Sequence, residues 1–136
     1  MNQNHEYRRA SIWLADLTGC YGSETGGLQR PVVIVQCEAG NRYSPTVQVC
    51  PITSSKTKKR LPTHVPLTAE RHGLNRDSFV SVEQQRVLDK WRLTKCVAQL
   101  DEETMDQVDI ALLISNGLYE KFIYRRDVIT HVRSNR

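Results

Sequence analysis

The sequence predicts a mainly β protein that ends in a C-terminal helix, an α+β fold built on a curled antiparallel sheet. Short apolar runs separated by turn residues fill the chain before Asp101, a pattern typical of strands joined by tight connections. Apolar residues recur at helical spacing only after Asp101, so one helix is expected to follow the sheet. A chain of 136 residues suits a single domain with a sizeable core.

Five segments are predicted to form the strands. The second contains an unbroken run of four branched residues, 32–35, which favours a buried strand. Pro62 and Pro66 favour an edge position for the fourth, because proline has no N–H to give to a ladder. Turn chemistry at residues 40–45 and a polar segment at 70–77 predict connections. The predicted strands are residues 11–17, 31–37, 46–52, 63–67 and 78–85, with a strand end at 85–88.

The helix has both a start signal and a stop signal. Asp101 is a good N-cap, and the acidic pair that follows it suits the positive end of the helix dipole. Asn116 and Gly117 predict the end. The apolar stripe expected to pack on the sheet is Met105, Val108 and Ala111 or Leu112.

Amino-acid composition indicates which classes of protein are possible. Hydrophobic residues make up 39% and charged residues 25%, which suits a globular chain and excludes a largely disordered one. The apolar runs are too short to cross a membrane, and residues 1–9 carry no apolar segment of signal-peptide type. We therefore expect a cytoplasmic protein.

Cysteine and histidine spacing gives no sign of a metal site, and no cofactor is expected. Neither set contains the close pairs that chelating or redox motifs require. A reducing compartment also favours four ordinary thiols over disulfides. These residues are Cys20, Cys37, Cys50, Cys96, His5, His64, His72 and His131.

Positive charge is unevenly distributed along the chain. The formal net charge is +4, of which residues 119–136 carry +3. A dense basic segment also occupies residues 56–60. It has two interpretations, a solvated charged loop or a surface that attracts a polyanion through counterion release.

A glycine-rich loop leads directly into the buried second strand. Residues 22–27 contain three glycines and two hydroxyl residues, which free the backbone to lay amide groups against an anion. Arg30 follows with a planar fork of donors suited to phosphate. Taken alone, the loop is equally typical of a surface hairpin.

Seven short motifs, in this order, resemble the MazF family, also called PemK-like toxins. No one of them is specific, but the resemblance runs in register from about residue 7 to residue 118. The motifs are Gly22-Ser23-Glu24-x-Gly26-Gly27, Arg30-Pro31-Val32, Gly40-Asn41-Arg42-Tyr43-Ser44-Pro45-Thr46, Pro51-Ile52-Thr53, Leu61-Pro62-Thr63-His64, Arg76-Asp77-Ser78 and Glu83-Gln84.

The resemblance implies a homodimer of SH3-like barrels that acts as the toxin of a type II toxin–antitoxin system. Members of the family cleave single-stranded RNA at a short sequence without a metal. The substrate's own 2′-hydroxyl attacks the phosphorus and leaves a 2′,3′-cyclic phosphate and a 5′-hydroxyl. The implied partner is a MazE-like antitoxin whose acidic tail covers the RNA groove.

Carried over by motif, the resemblance implies that Arg30 and Thr53 are the catalytic pair. Arg30 would stabilise charge on the non-bridging oxygens, since a guanidinium is poorly matched to proton donation near neutrality. The alternatives are a surface arginine at a strand end and a threonine in a turn. The implied RNA-binding residues are Ser23, Glu24, Thr25 and Gln84.

Other polar and aromatic residues have plainer interpretations. His64, beside two prolines, is expected to be a structural histidine and not a general acid or base. Trp13, Tyr43 and Trp91 could stack on bases, although core burial or dimer contact is the safer expectation for each.

The sequence departs from the family pattern at three places. Gln29 is an added residue before Arg30, and we expect the loop to absorb it without turning Arg30 to the opposite face. Thr25 and Gln85 stand where other residues are common, which affects the RNA sequence preference. A basic extension at residues 119–136 follows the family domain, residues 1–118.

Two rival functions come from other classes of protein. The same barrel occurs in toxins resembling the CcdB group, which bind DNA gyrase and cut nothing; Arg30 together with Thr53 favours the nuclease. A peptide-binding SH3-like adaptor is disfavoured because the chain lacks a cluster of aromatic residues for a proline-binding groove.

Overall fold

A computed structural model describes residues 6–19, 27–54 and 60–124. The strands are β1 (Ser11–Ala15), β2 (Arg30–Ile34), β3 (Thr46–Ser54), β4 (His64–Leu67), β5 (Ser78–Ser81), β6 (Arg86–Asp89) and β7 (Leu93–Gln99). The helices are α1 (Glu38–Tyr43), α2 (Ala69–His72), α3 (Glu102–Ser115) and α4 (Tyr119–Tyr124), with 3-10 turns at Val82–Gln84 and Lys90–Arg92.

The described strands form one curled antiparallel sheet in the order β4-β5-β3-β2-β1-β7. The long strand β3 has two neighbours on one side, since its first half pairs with β6 and its second half with β5. Pro51 lies between the two halves, where the missing N–H is tolerated. β4 is the end of the strand path, which confirms the edge position predicted from its prolines.

Alternating side chains build two cores on opposite faces of the sheet. The helix-side core packs α3 against Ile12, Val33, Cys50 and Ile52. The second core contains Trp13, Ala15, Val32, Ile34, Val49, Leu88 and Leu93.

The helix predicted after Asp101 is confirmed as α3. The Asp101 carboxylate accepts the backbone N–H of Thr104 at 3.0 Å, so it is the N-cap. Gly117, with φ 72°, follows the last turn. Of the predicted stripe, Met105, Val108 and Ala111 are buried, and Leu112 packs partly buried beside them.

Five elements differ from the prediction. The expected turn at 40–45 is largely α1, in which buried Asn41 donates to the carbonyl oxygen of Gln36 at 3.0 Å. The polar segment at 70–77 begins with α2, and the strand expected over 78–85 ends at Ser81. β7 and α4 were not predicted; within β7 only Leu93 is buried, and the strand lacks the alternating apolar pattern of a half-buried strand.

The described residues include no helix of sufficient length and apolar character to span a bilayer.

Candidate active site

Two side chains that the sequence predicts to act together lie on neighbouring strands. Arg30 begins β2, and Thr53 is the last residue but one of β3. The ladder between these strands pairs Val32 with Pro51. The same antiparallel register, continued by two residues, puts Arg30 opposite Thr53. Opposite side chains in such a ladder have Cβ atoms about 4.5–5.5 Å apart, close enough to contact one ligand.

Both side chains belong to the face of the sheet that carries the second core. Strand side chains alternate between faces, and Arg30 is two residues from Val32 while Thr53 is four residues from Val49. On the other side of β2, Arg30 pairs with Ala15 of β1, which is fully buried.

Each residue of the pair carries a buried polar atom that makes no hydrogen bond. Among the residues that the structure describes, Arg30 Nε and Thr53 Oγ1 are the buried side-chain nitrogen and oxygen atoms without a partner. An unpaired buried donor or acceptor costs about 1–3 kcal/mol. Proteins keep such costs where polar groups serve a ligand, so the coincidence of both atoms at one ladder position indicates a functional site.

The chain before β2 shows how Arg30 is presented despite the added residue. Gly27 has φ 101° and Gln29 has φ 54°, so two of the three residues before Arg30 have left-handed backbone. The carbonyl of Gly27 accepts the N–H of Leu17 at 2.8 Å and closes the hairpin. As expected, the bend falls before β2, and Arg30 stays in register as its first residue.

Gln84 ends the 3-10 turn Val82–Gln84 and is half-buried. Its carbonyl oxygen accepts from Arg86 Nε at 3.3 Å. The turn packs against β3, the strand that carries Thr53. Gln84 therefore lies on an element that packs against the same strand as Thr53.

His64 is fully engaged in structural contacts, as the sequence suggested. Its Nδ1 accepts the N–H of Leu61 at 3.0 Å, so the ring proton is on Nε2, which donates to Glu83 at 3.0 Å. The ring stacks on Phe79 with centroids 4.2 Å apart, and Phe79 pairs with Thr53 in the sheet. His64 thus supports the strand beside Thr53 and has no nitrogen left for proton transfer.

The carboxylate of Glu83 fixes this arrangement. It also accepts the hydroxyl of Thr63 at 2.8 Å. Burial raises the pKa of the Glu83 carboxyl, but the hydrogen bonds from Thr63 and His64 outweigh that effect, so the pKa lies below its ordinary value. Glu83 is therefore ionised at neutral pH and anchors the chain before β4 to the turn that ends at Gln84.

Several predicted contact residues lie outside the described part of the chain. Ser23, Glu24 and Thr25 are among them, as are the three lysines of the basic segment.

The three aromatic residues weighed as stacking groups have different surroundings. Trp13 is buried and stacks on Tyr7 with centroids 4.9 Å apart, which confirms core burial. Tyr43 and Trp91 are 80% and 68% exposed.

A cleft of about 470 Å³ opens beside Arg30, between the first three strands and the segment 73–78 that follows α2. Arg76 lines it, and its sequence position alone predicted no role for it, although it belongs to the motif Arg76-Asp77-Ser78. Asn75 was not singled out at all. The signal that could have found it is its position beside that motif in an otherwise polar connection.

Comparison with known proteins agrees with the motif resemblance. A family model described as PemK-like, MazF-like toxin of type II toxin-antitoxin system matches residues 8–115. Endoribonuclease EndoA of Bacillus subtilis (strain 168) is 48% identical over 113 residues, which are 83% of this chain and 97% of that relative.

Solved structures share the fold. The Mycobacterium tuberculosis toxin MazF-mt6 matches with a TM-score of 0.67 and 27% identity, over 79% of this chain and 97% of that one. A chain of MazE-MazF (Form-II) from Deinococcus radiodurans matches with a TM-score of 0.63 and 28% identity, over 82% of this chain and 97% of that one.

Proposed function

Because this chain belongs to the PemK-like, MazF-like toxins of type II toxin–antitoxin systems, we propose that it is an endoribonuclease that cleaves single-stranded RNA. The observation that carries the proposal is the pairing of Arg30 with Thr53, each with a buried polar atom that has no partner. The relative that is 48% identical is named an endoribonuclease, which supports the same reaction class.

In the proposed reaction the 2′-oxygen of the substrate forms a bond to the adjacent phosphorus and the bond from phosphorus to the 5′-oxygen breaks. The 2′-hydroxyl loses a proton to a base and the departing 5′-oxygen gains one. Negative charge gathers on the non-bridging oxygens of the pentacoordinate phosphorus. The Arg30 guanidinium and the Thr53 hydroxyl stabilise that charge. Such electrostatic stabilisation by preorganised donors is usually the largest single contribution to catalysis. The reaction uses no metal.

Substrate contacts are assigned to the loop before β2 and to the turn after β5. Ser23, Glu24, Thr25 and Gln84 bind the unpaired bases, whose hydrogen-bonding edges are accessible in single strands. The packing of the Val82–Gln84 turn against β3, the strand that carries Thr53, supports the assignment for Gln84.

The proposed assembly is a cytoplasmic homodimer controlled by a MazE-like antitoxin. A similar chain was crystallised as MazE-MazF, which supports the antitoxin as a partner. The catalytic domain comprises residues 1–118, and residues 119–136 form a basic extension. The family match to residues 8–115 supports that boundary.

The test is RNA cleavage by purified protein in excess chelator. We expect 5′-hydroxyl and 2′,3′-cyclic phosphate ends at a short recurring sequence, and no cleavage by Arg30→Ala. Arg42→Ala, an exposed arginine on α1, is the matched control and should cleave normally. Intact RNA together with inhibited DNA gyrase would favour the gyrase-binding alternative.

A further inference from the structure

The cleft beside Arg30 has an apolar floor. Leu14 of β1 pairs with Pro31 of β2, and the register of the next ladder puts Ile52 of β3 opposite Pro31. The three side chains therefore form a row across neighbouring strands on the face opposite Thr53. Leu74 and Val97 complete the apolar lining. An apolar floor of this kind can contact the face of a planar ring.

The rim of the cleft is polar and cationic. Gln29 and Asn75 supply side-chain amides, and both are exposed. Arg30 and Arg76 supply guanidinium groups, and neither is among the described residues that form an ion pair. The lining within the described part of the chain contains no carboxylate. The cleft therefore favours an anionic ligand that also presents a planar group with hydrogen-bonding edges.

We propose that this cleft binds one nucleobase of the RNA substrate, next to the phosphate held by Arg30. The inference rests on the proposed ribonuclease function and adds a specificity subsite to it. Gln29 and Asn75 read the edge of the base, because an amide can donate and accept at once. Arg76 contacts the flanking phosphate or stacks on the base through its planar guanidinium.

Size and continuity both support a base as the occupant. A volume of about 470 Å³ lies within the range of about 300–1,000 Å³ typical of ligand sites. Arg30 is the first residue of β2, so it lines the cleft while its side chain belongs to the opposite face, with Thr53. An RNA strand that passes this end of β2 with its phosphate at Arg30 therefore brings a neighbouring base to the cleft entrance.

Gln29 makes the proposed subsite specific to this protein, because it is the residue that the family pattern lacks. It is the residue added before the strand, and its left-handed φ of 54° is a conformation that few side chains adopt without cost. The added residue therefore does more than lengthen the loop, since it contributes a side-chain amide to the cleft rim. The sequence preference of this protein should depend on Gln29.

The test compares cleavage-site preferences by sequencing the 5′-hydroxyl ends from a random RNA pool. Gln29→Ala and Asn75→Ala should each relax the preference at the same single position by roughly threefold to tenfold, as expected for the loss of one hydrogen bond. Arg76→Ala should weaken RNA binding at every sequence and reduce the salt dependence by about one phosphate contact. Gln48→Ala, an exposed glutamine at the other end of β3, is the matched control and should change nothing.

Crosslinking provides a second measurement that does not need cleavage. Single-stranded RNA carrying 4-thiouridine should crosslink to peptides that contain residues 73–78 or Gln29, and Arg76→Ala should reduce the yield. Unchanged preferences in both amide variants, or crosslinks confined to other peptides, would overturn the subsite. Absence of cleavage by the unaltered protein would instead contradict the proposed function, and the crosslinks would still report whether RNA enters the cleft.

Discussion

Arg30 and Thr53 are opposite each other when the β2–β3 register is continued two residues beyond Val32 and Pro51, and each has a buried polar atom without a hydrogen bond. A sheet gains nothing from two unpaired polar atoms at one position, because water would have satisfied both in the unfolded chain. The same atoms are suited to a phosphate oxygen, which accepts several hydrogen bonds at once. Stability and activity should therefore respond in opposite directions when either group is removed.

Thr53→Val tests this opposition. Valine has nearly the same shape and removes the unpaired hydroxyl, so the free energy of unfolding should stay the same or rise. RNA cleavage should fall roughly 100-fold to 1,000-fold, the effect of losing one donor to a charged transition state. Denaturant melts and single-turnover cleavage rates measure the two effects.

Thr46→Val is the matched control for that substitution. The hydroxyl of Thr46 is 3.0 Å from the hydroxyl of Ser44, so its loss should lower stability and leave cleavage unchanged. If Thr53→Val lowered stability as much as Thr46→Val does and cleaved RNA at the normal rate, Thr53 would be a structural residue.

A second prediction concerns the hydrogen bond between Glu83 and His64. Glu83→Ala leaves the buried Nε2–H of His64 without its acceptor, so the free energy of unfolding should fall by about 1–3 kcal/mol at pH 7. Because the pKa of Glu83 is lowered in the folded protein, the stabilisation is present above the ordinary pKa of 4.5 and is lost as the pH falls below it. The difference between the two proteins should therefore shrink in acid.

Thermal melts between pH 7 and pH 3 measure this difference. Glu70→Ala is the control, since Glu70 is an exposed glutamate on α2. A constant difference across the pH range would contradict an ionised Glu83 in the folded state.

A third prediction follows from the N-cap of α3. The hydroxyl of Thr104 at 2.7 Å and its backbone N–H at 3.0 Å hold the pKa of Asp101 far below its usual range, with Arg71 nearby. A lowered pKa stabilises the fold above the unfolded value near 3.8 and loses that effect as the pH falls. Asp101→Ala should lower the melting temperature at pH 7 and flatten its dependence on pH in acid. Asp106→Ala, an exposed carboxylate on the same helix, should leave that dependence unchanged.

Sequence patterns predicted the parts of the fold that are marked by local chemistry. The apolar run in β2, the N-cap at Asp101 and the edge strand with Pro66 each carry their own signal, and the structure confirms all three. β7 escaped prediction because it pairs with β1 while most of its side chains face solvent. Its position depends on a partner more than 70 residues away in the chain, which no local pattern reports.

The residues of the candidate site were also predictable only in part. Arg30 and Thr53 were predicted from motifs, but their opposite positions on the ladder require the register between β2 and β3. The cleft was not predicted, because its floor and rim come from segments that are distant in sequence. Gln29 was recognised as an added residue, and only the structure shows that it lines a cavity.

A fourth prediction concerns the centre of β3. Cys50 is fully buried in the helix-side core, and burial raises the pKa of its thiol to about 12. Cys37 is exposed, just before α1. In a maleimide reaction at pH 7.5, followed by mass spectrometry of each cysteine peptide, Cys37 should react within minutes and Cys50 only as fast as the domain opens. Denaturant should bring the two rates together. Rapid modification of Cys50 in the native protein would mean that β3 is not held between its neighbours, and the ladder that aligns Arg30 with Thr53 would lose its support.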